Sequence, residues 1–243
     1  MVIVNQLNFI QVVGFGPNGW GLTLLSGAAV TLAVAICGMS LGMVFGTLGA
    51  WAKASRRRPF AGIADAYTTI IRGLPDLLII YVIYFGGSAV LTWLQPLLGS
   101  TGFLNFPGFV AGTIAIGVTS GAQSTEVLRG GLNAVNKGEI EAARACGMRR
   151  LLRFRRIVAP LTLRHALPGM GNVWLSALKE SSLLSVTGLA ELMRQAQVGS
   201  GSTRLPFDFY VAAALIYFVL CAGSTLAIQR VERYQARSLT GRA

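Results

Sequence analysis

Residues 136–168 read NKGEIEAARACGMRRLLRFRRIVAPLTLRHALP, a polar and strongly basic insert in an otherwise apolar chain. Apolar runs long enough to cross a bilayer flank it on both sides. Its simplest place is a loop on the cytoplasmic face, folded into short helices and offered to a partner. Asn136, followed three residues later by Glu139, has the form of a capping box. Glu139 and Glu141 fall in the first turn, where acidic side chains suit the helix dipole. Gly147 is placed as the left-handed residue just past the helix end. The small run Ala142, Ala143 and Ala145 leaves a slim face that fits a groove on another protein. A second short helix is expected over 149–158, carrying Arg149, Arg150, Arg153, Arg155 and Arg156. Some of these face anionic lipid head groups, each contributing on the order of 1 kcal/mol. Ile157, Pro160 and Pro168 are expected to close the insert. The alternative is an ordinary basic inner loop that sets topology and binds nothing.

Working outward, only 12% of residues are charged, about half the share usual in a soluble domain, which places the chain among membrane proteins. No charged side chain precedes Lys53. A secretory leader needs a basic start and a short apolar core, whereas Gly21 to Trp51 is apolar over about 30 residues and reads as a span. Five spans are expected, over 21–51, 64–94, 108–130, 169–193 and 208–229, in a single transmembrane domain covering 1–243. Residues 1–20 fit a short interfacial helix ended by Gly14, Gly16 and Pro17. Residues 95–107 and 194–206 read as outer loops. The second span is interrupted at Arg72-Gly73-Leu74-Pro75-Asp76, where Pro75 should kink or break the helix.

The net charge of +12 gathers in the stretch WAKASRRRPF at 51–60, in the insert and in the tail with Arg230, Arg233, Arg237 and Arg242. The outer loops hold only Arg194 and Arg204. The positive-inside rule then puts the N-terminus outside and the C-terminus inside, and it accounts for the basic balance without a nucleic-acid partner. Cys37, Cys146 and Cys221 have no metal or redox spacing, and His165 has no second ligand candidate beside it, so no metal site is expected.

Ionisable residues inside a span cost roughly 2.5–3.5 kcal/mol each at mid-bilayer and need a partner or a role. Lys179 and Glu180 lie near the midplane of the fourth span. Arg72 and Asp76, four apart, pair on one face if the helix survives Pro75; Glu126 and Arg129, three apart, can do likewise. Arg72, Asp76, Glu126, Lys179, Glu180 and Ser181 are the candidate lining of a polar pathway. Glu180 and Asp76 would meet an amino or guanidinium group, and Arg72 or Lys179 a carboxylate. The competing reading is structural ion pairing between helices, with Ser181 and Ser182 as packing residues.

The spacing Glu141-Ala142-Ala143, Gly147, Ile157, Pro160 resembles the EAA loop of ABC importer permeases, with Ala159-Pro160 where the family usually has Leu-Pro. RGLPDL at 72–77, TEVLRGG at 125–131, ALPGMGNVW at 166–174 and LKESSLLSVTGLAEL at 178–192 are similar to its polar amino-acid branch. The likeness covers about residues 20–235 and is closest to the histidine/basic amino acid and octopine/nopaline permease subunits. The resemblance implies an all-α, five-helix type I importer fold in the bacterial inner membrane. It implies that Glu139, Glu141, Ala142, Ala143, Gly147, Ile157 and Pro160 belong to a loop that couples to the ATP-binding cassette ATPase dimer. It also implies a second, similar but non-identical permease subunit and a periplasmic substrate-binding protein. Import rather than export rests on that resemblance.

No motor is expected in the chain. A phosphate-binding loop needs Gly-Lys followed by Ser or Thr, and Lys53, Lys137 and Lys179 are followed by Ala54, Gly138 and Glu180. ATP and Mg would be bound by the partner ATPase. A self-sufficient channel or secondary transporter for a small polar solute is the competing class, although secondary transporters usually show internal repeats and none is apparent.

Overall fold

The computed structural model describes residues 13–16, 19–55, 58–95, 102 and 104–240. The expected interfacial helix over 1–20 lies largely outside these residues, as do Arg56, Arg57, Arg242 and much of the 95–107 loop. The described residues are helical, with no strand among them. In order they are α1 (Gly21–Ala54), α2 (Arg58–Gly73), α3 (Asp76–Leu94), α4 (Gly108–Asn133), α5 (Lys137–Ala145) and α6 (Arg150–Arg153). A π-helical segment (Phe154–Val158) leads into α7 (Ala159–Glu180). A 3-10 segment (Ser181–Thr187), α8 (Leu192–Thr203) and α9 (Pro206–Thr240) complete the chain. Three of these, α1, α3 and α9, are long and apolar enough to cross a membrane by length and composition.

The α1–α4 pair is the spine of the bundle, and a glycine stripe on α1 makes it. Gly38, Gly42, Gly46 and Gly49 recur at helical spacing and face Ile116, Ser120, Ser124 and Thr125 of α4. A Cβ added at Gly38 would stand 2.7 Å from Ile116, so the helices approach closely only because none is there. Among apolar surfaces this close approach replaces the hydrophobic drive as the source of packing energy. Three apolar clusters are stacked along the bundle. Leu24 and Ala28 meet α8 and α9 through Leu192, Ala196 and Phe209. Val34 meets Ile80, Ile116, Ala177 and Leu184. Ala50 meets Leu128, Ala166 and Met170. Leu48, Val82, Trp93 and Phe218 stay exposed, as a bilayer solvent permits.

The expected spans change at their prolines and caps. The stretch 64–94 is two helices, divided at Leu74 and Pro75; Pro75 is extended, at ψ 134°, and caps α3. Proline has no N–H to continue the first helix, and the residue before it is pushed out of the helical region. Neither Pro160 nor Pro168 ends the insert. Pro160 opens α7 and Pro168 lies inside it, so the second half of the insert is continuous with the fourth span. The π turn makes that passage possible: the Ala159 N–H donates to the Phe154 carbonyl five residues back, widening the helix just before the Pro160 ring. At the other end α7 stops at Glu180, and 194–206 is not a loop: most of it is α8. Gly199 lies against the Phe209 ring instead of breaking that helix, and Arg204, at φ 60°, ends it.

Candidate functional site

A cavity of about 470 Å³ opens between α2, α3, α4 and α7. Thr119, Gln123 and Glu126 recur at helical spacing along one face of α4 and line it. Asn172 and Ser176, four apart on α7, line the opposite wall. Arg72 from the last turn of α2 and Asp76 from the first turn of α3 complete the polar lining. Asp76 suits its place, because a carboxylate at a helix N-terminus complements the dipole. The helix break at Pro75 is what turns both charges into one space, and it removes the expected i,i+4 pairing of Arg72 with Asp76. No ion pair joins the two among the described residues.

Glu180, at the end of α7, is not itself in the lining but is bonded to a residue that is. Thr119 Oγ1 donates to Glu180 Oε2 at 3.3 Å, and Asp76 lies close enough for the two carboxylates to interact. Lys179 and Ser181 lie outside the lining. Lys179 is exposed, and the buried Ser181 hydroxyl donates to the Leu178 carbonyl at 2.7 Å. The two residues flank Glu180 in sequence, and a helical turn sends neighbours to different sides.

The basic insert presents a second surface. The Gly138 N–H donates to Asn136 Oδ1 at 2.9 Å, so Asn136 caps α5; the return bond expected from Glu139 is not formed among the described residues. Gly147 adopts φ 73°, with its N–H on the Arg144 carbonyl at 2.9 Å and the Met148 N–H on the Ala143 carbonyl at 3.1 Å. These are the two bonds of a Schellman cap. Ala143 is buried against the rest of the chain, while Glu139, Glu141, Ala142 and Gly147 are exposed. Ile157 is half-buried and Pro160 exposed. Leu151 and Phe154 project beside α5 at 77% and 55% exposure, apolar groups on a basic surface left uncovered by the described residues.

Residues 38–234 match the family described as binding-protein-dependent transport system inner membrane component. The chain belongs to this family of transport permeases. It is 53% identical over 233 residues to the octopine transport system permease protein of Rhizobium radiobacter, covering 96% of this chain and 98% of the relative. It is 43% identical over 231 residues to the nopaline transport system permease protein of Agrobacterium fabrum, covering 95% and 98%. The histidine/lysine/arginine/ornithine transport system permease protein of Escherichia coli is 39% identical over 215 residues, covering 88% and 94%. Among solved structures, an amino acid ABC transporter with histidines superposes at a TM-score of 0.76 with 32% identity, covering 88% of this chain and 95% of that one. The fold is therefore the all-α type I importer permease fold expected from the EAA loop, and the permease is an inner-membrane protein.

Two features of the permease escaped the sequence. Lys53 counts there only as a topology charge. In the structure its side chain is 5% exposed and its ammonium binds Asp65 Oδ1 at 2.8 Å, Thr68 Oγ1 at 2.7 Å and Glu126 Oε1. Glu126 Oε2 also takes Arg129 Nε at 3.3 Å, the one expected pair that forms. Asp65 and Thr68, three apart on α2, were the available signal. The second feature is Glu191, fully buried at the start of α8. It accepts from the N–H groups of Met193 at 2.8 Å and Arg194 at 2.7 Å, and from the Tyr217 hydroxyl at 3.0 Å and Thr31 Oγ1 at 3.4 Å. It thus ties α1, α8 and α9 together.

Proposed function

We propose that this permease subunit forms half of the membrane pathway of an ATP-driven importer for a cationic or zwitterionic solute. The solute class is a polar or basic amino acid (histidine, arginine, lysine, ornithine) or an opine (octopine, nopaline). The observation that carries this reading is a cavity lined by Arg72, Asp76 and Glu126, with Glu180 hydrogen-bonded to the lining residue Thr119: Asp76 and Glu180 suit an amino or guanidinium group, and Arg72 suits a carboxylate. Lys179 and Ser181 serve the same pathway from beyond this lining. The relatives named for octopine, nopaline and basic amino acids support it.

The chain runs with its N-terminus outside and its C-terminus inside. The α5 helix and the residues through Pro160, with Glu139, Glu141, Ala142, Ala143, Gly147 and Ile157, dock an ATP-binding cassette ATPase dimer. That dimer binds ATP and Mg; this chain carries no ATPase site of its own. A second, similar but non-identical permease completes the pathway, and a periplasmic binding protein delivers solute. Uptake into proteoliposomes tests the reading. The reconstituted complex, given ATP and binding protein, is expected to accumulate octopine or arginine. Uptake that proceeds without ATP hydrolysis would return the chain to the channel or secondary-transporter class.

A further inference from the structure

Lys53 places a cation on the wall of the cavity. Its ammonium reaches from the last turn of α1 to Glu126, whose side chain is at the same time part of the cavity lining. Thr119 contacts Glu180, and Glu126 lies two turns further toward the C-terminal end of α4, roughly 10 Å away at 1.5 Å per residue. The cavity therefore has one acid, Asp76, with no ion pair among the described residues, and another, Glu126, already holding two internal cations, the buried Lys53 ammonium on Oε1 and the exposed Arg129 guanidinium on Oε2. Thr68 and Asp65 fix the ammonium from the α2 side.

A pathway must bind its solute well enough to admit it and weakly enough to release it. Without Lys53, Glu126 would keep only the exposed Arg129 on Oε2, and its free Oε1 would hold a guanidinium or ammonium by a charge-assisted hydrogen bond, which is the strong kind. A cation tethered to the protein blocks that bond at high effective concentration, whatever the solute concentration. We propose that Lys53 is a specificity-determining residue: a resident ammonium that fills the cation position on Glu126, so that a cationic solute bound near Asp76 and Glu180 is not retained on its way out. The inference rests on the cationic-solute reading above.

The test uses the complete complex with its ATPase subunits and binding protein, with arginine and octopine as probes. Lys53→Arg, Lys53→Gln and the double variant Lys53→Gln/Glu126→Gln are compared with the parent for saturating uptake rate and for radiolabelled arginine retained by the purified complex. Lys53→Gln is expected to lower the rate about tenfold while raising retention by a similar factor, the effect of one added charge-assisted bond. The double variant is expected to lose the added retention, and Lys53→Arg to stay near the parent. A purely structural clamp of α1, α2 and α4 would lower the rate without raising retention, and the double variant would be worse still. That pattern overturns the proposal, as does a Lys53→Gln complex that matches the parent. Failure of both glutamine variants to assemble, with Lys53→Arg assembling normally, overturns it too. A parent complex that moves neither probe overturns the solute reading and this proposal with it, whereas an active parent with unresponsive variants overturns the Lys53 proposal alone.

Discussion

Glu191 is a fully buried acid whose acceptor oxygens take four donors. A buried carboxylate is costly unless its acceptor sites are filled, and here donors from three helices fill them. Glu191→Ala removes the cap of α8 and leaves two N–H groups and the Tyr217 hydroxyl without their acceptor. A lost cap alone costs about 1 kcal/mol, and each buried orphan donor about 1–3 kcal/mol. The expected outcome is at least about 2 kcal/mol of lost stability, read as a lower melting midpoint of the purified complex. Glu191→Gln, which keeps an acceptor oxygen, should fall between the two. An acid inside an apolar motif was visible in the sequence as LKESSLLSVTGLAEL, but its role was not. The donors Thr31 and Tyr217 come from positions 160 residues before it and 26 after it, and no local spacing announces them.

At the scale of elements, glycine and proline acted in different ways according to their surroundings. Gly147 did what its position past α5 predicted, because the end of an isolated short helix is governed by local backbone preferences. Gly147→Asp strains a left-handed position by about 1–2 kcal/mol and adds a negative charge at the negative end of the helix dipole. Membrane insertion is expected to remain normal while ATPase binding or stimulation is lost. Normal transport in that variant would remove α5 from the coupling reading. Pro75 divided a helix as expected, whereas Pro160 and Pro168 did not. The difference is tertiary. A π turn precedes Pro160, and α7 is held against α4 where Gly131 meets Ala166 and Gly169 meets Val127. Neighbouring helices keep such a proline-bearing helix intact in a membrane protein. The same argument covers α8, where Gly199 reads as a breaker but packs under Phe209.

For the whole molecule, the exposed apolar pair Leu151 and Phe154 beside α5 calls for a covering partner. Purified from its native membrane in mild detergent, the permease is expected to bring a stoichiometric ATP-binding subunit and a second permease. Recovery alone, or only with itself, would sink the coupling reading. Hydropathy and charge placement were enough to determine a helical membrane protein, because those signals depend on the bilayer and on local backbone preference and need no knowledge of which helix meets which; that it is a permease came from the family resemblance carried by the EAA spacing. Arg72, Asp76, Glu126 and Glu180 were legible as charges out of place in apolar surroundings. Their arrangement was not, since the α2–α3 break and the close glycine-mediated α1–α4 approach decide which of them share a cavity. Lys53 shows the limit most plainly. By sequence it is one more positive charge at the inner face, and only the packing of α1 against α2 and α4 makes it the buried partner of Glu126.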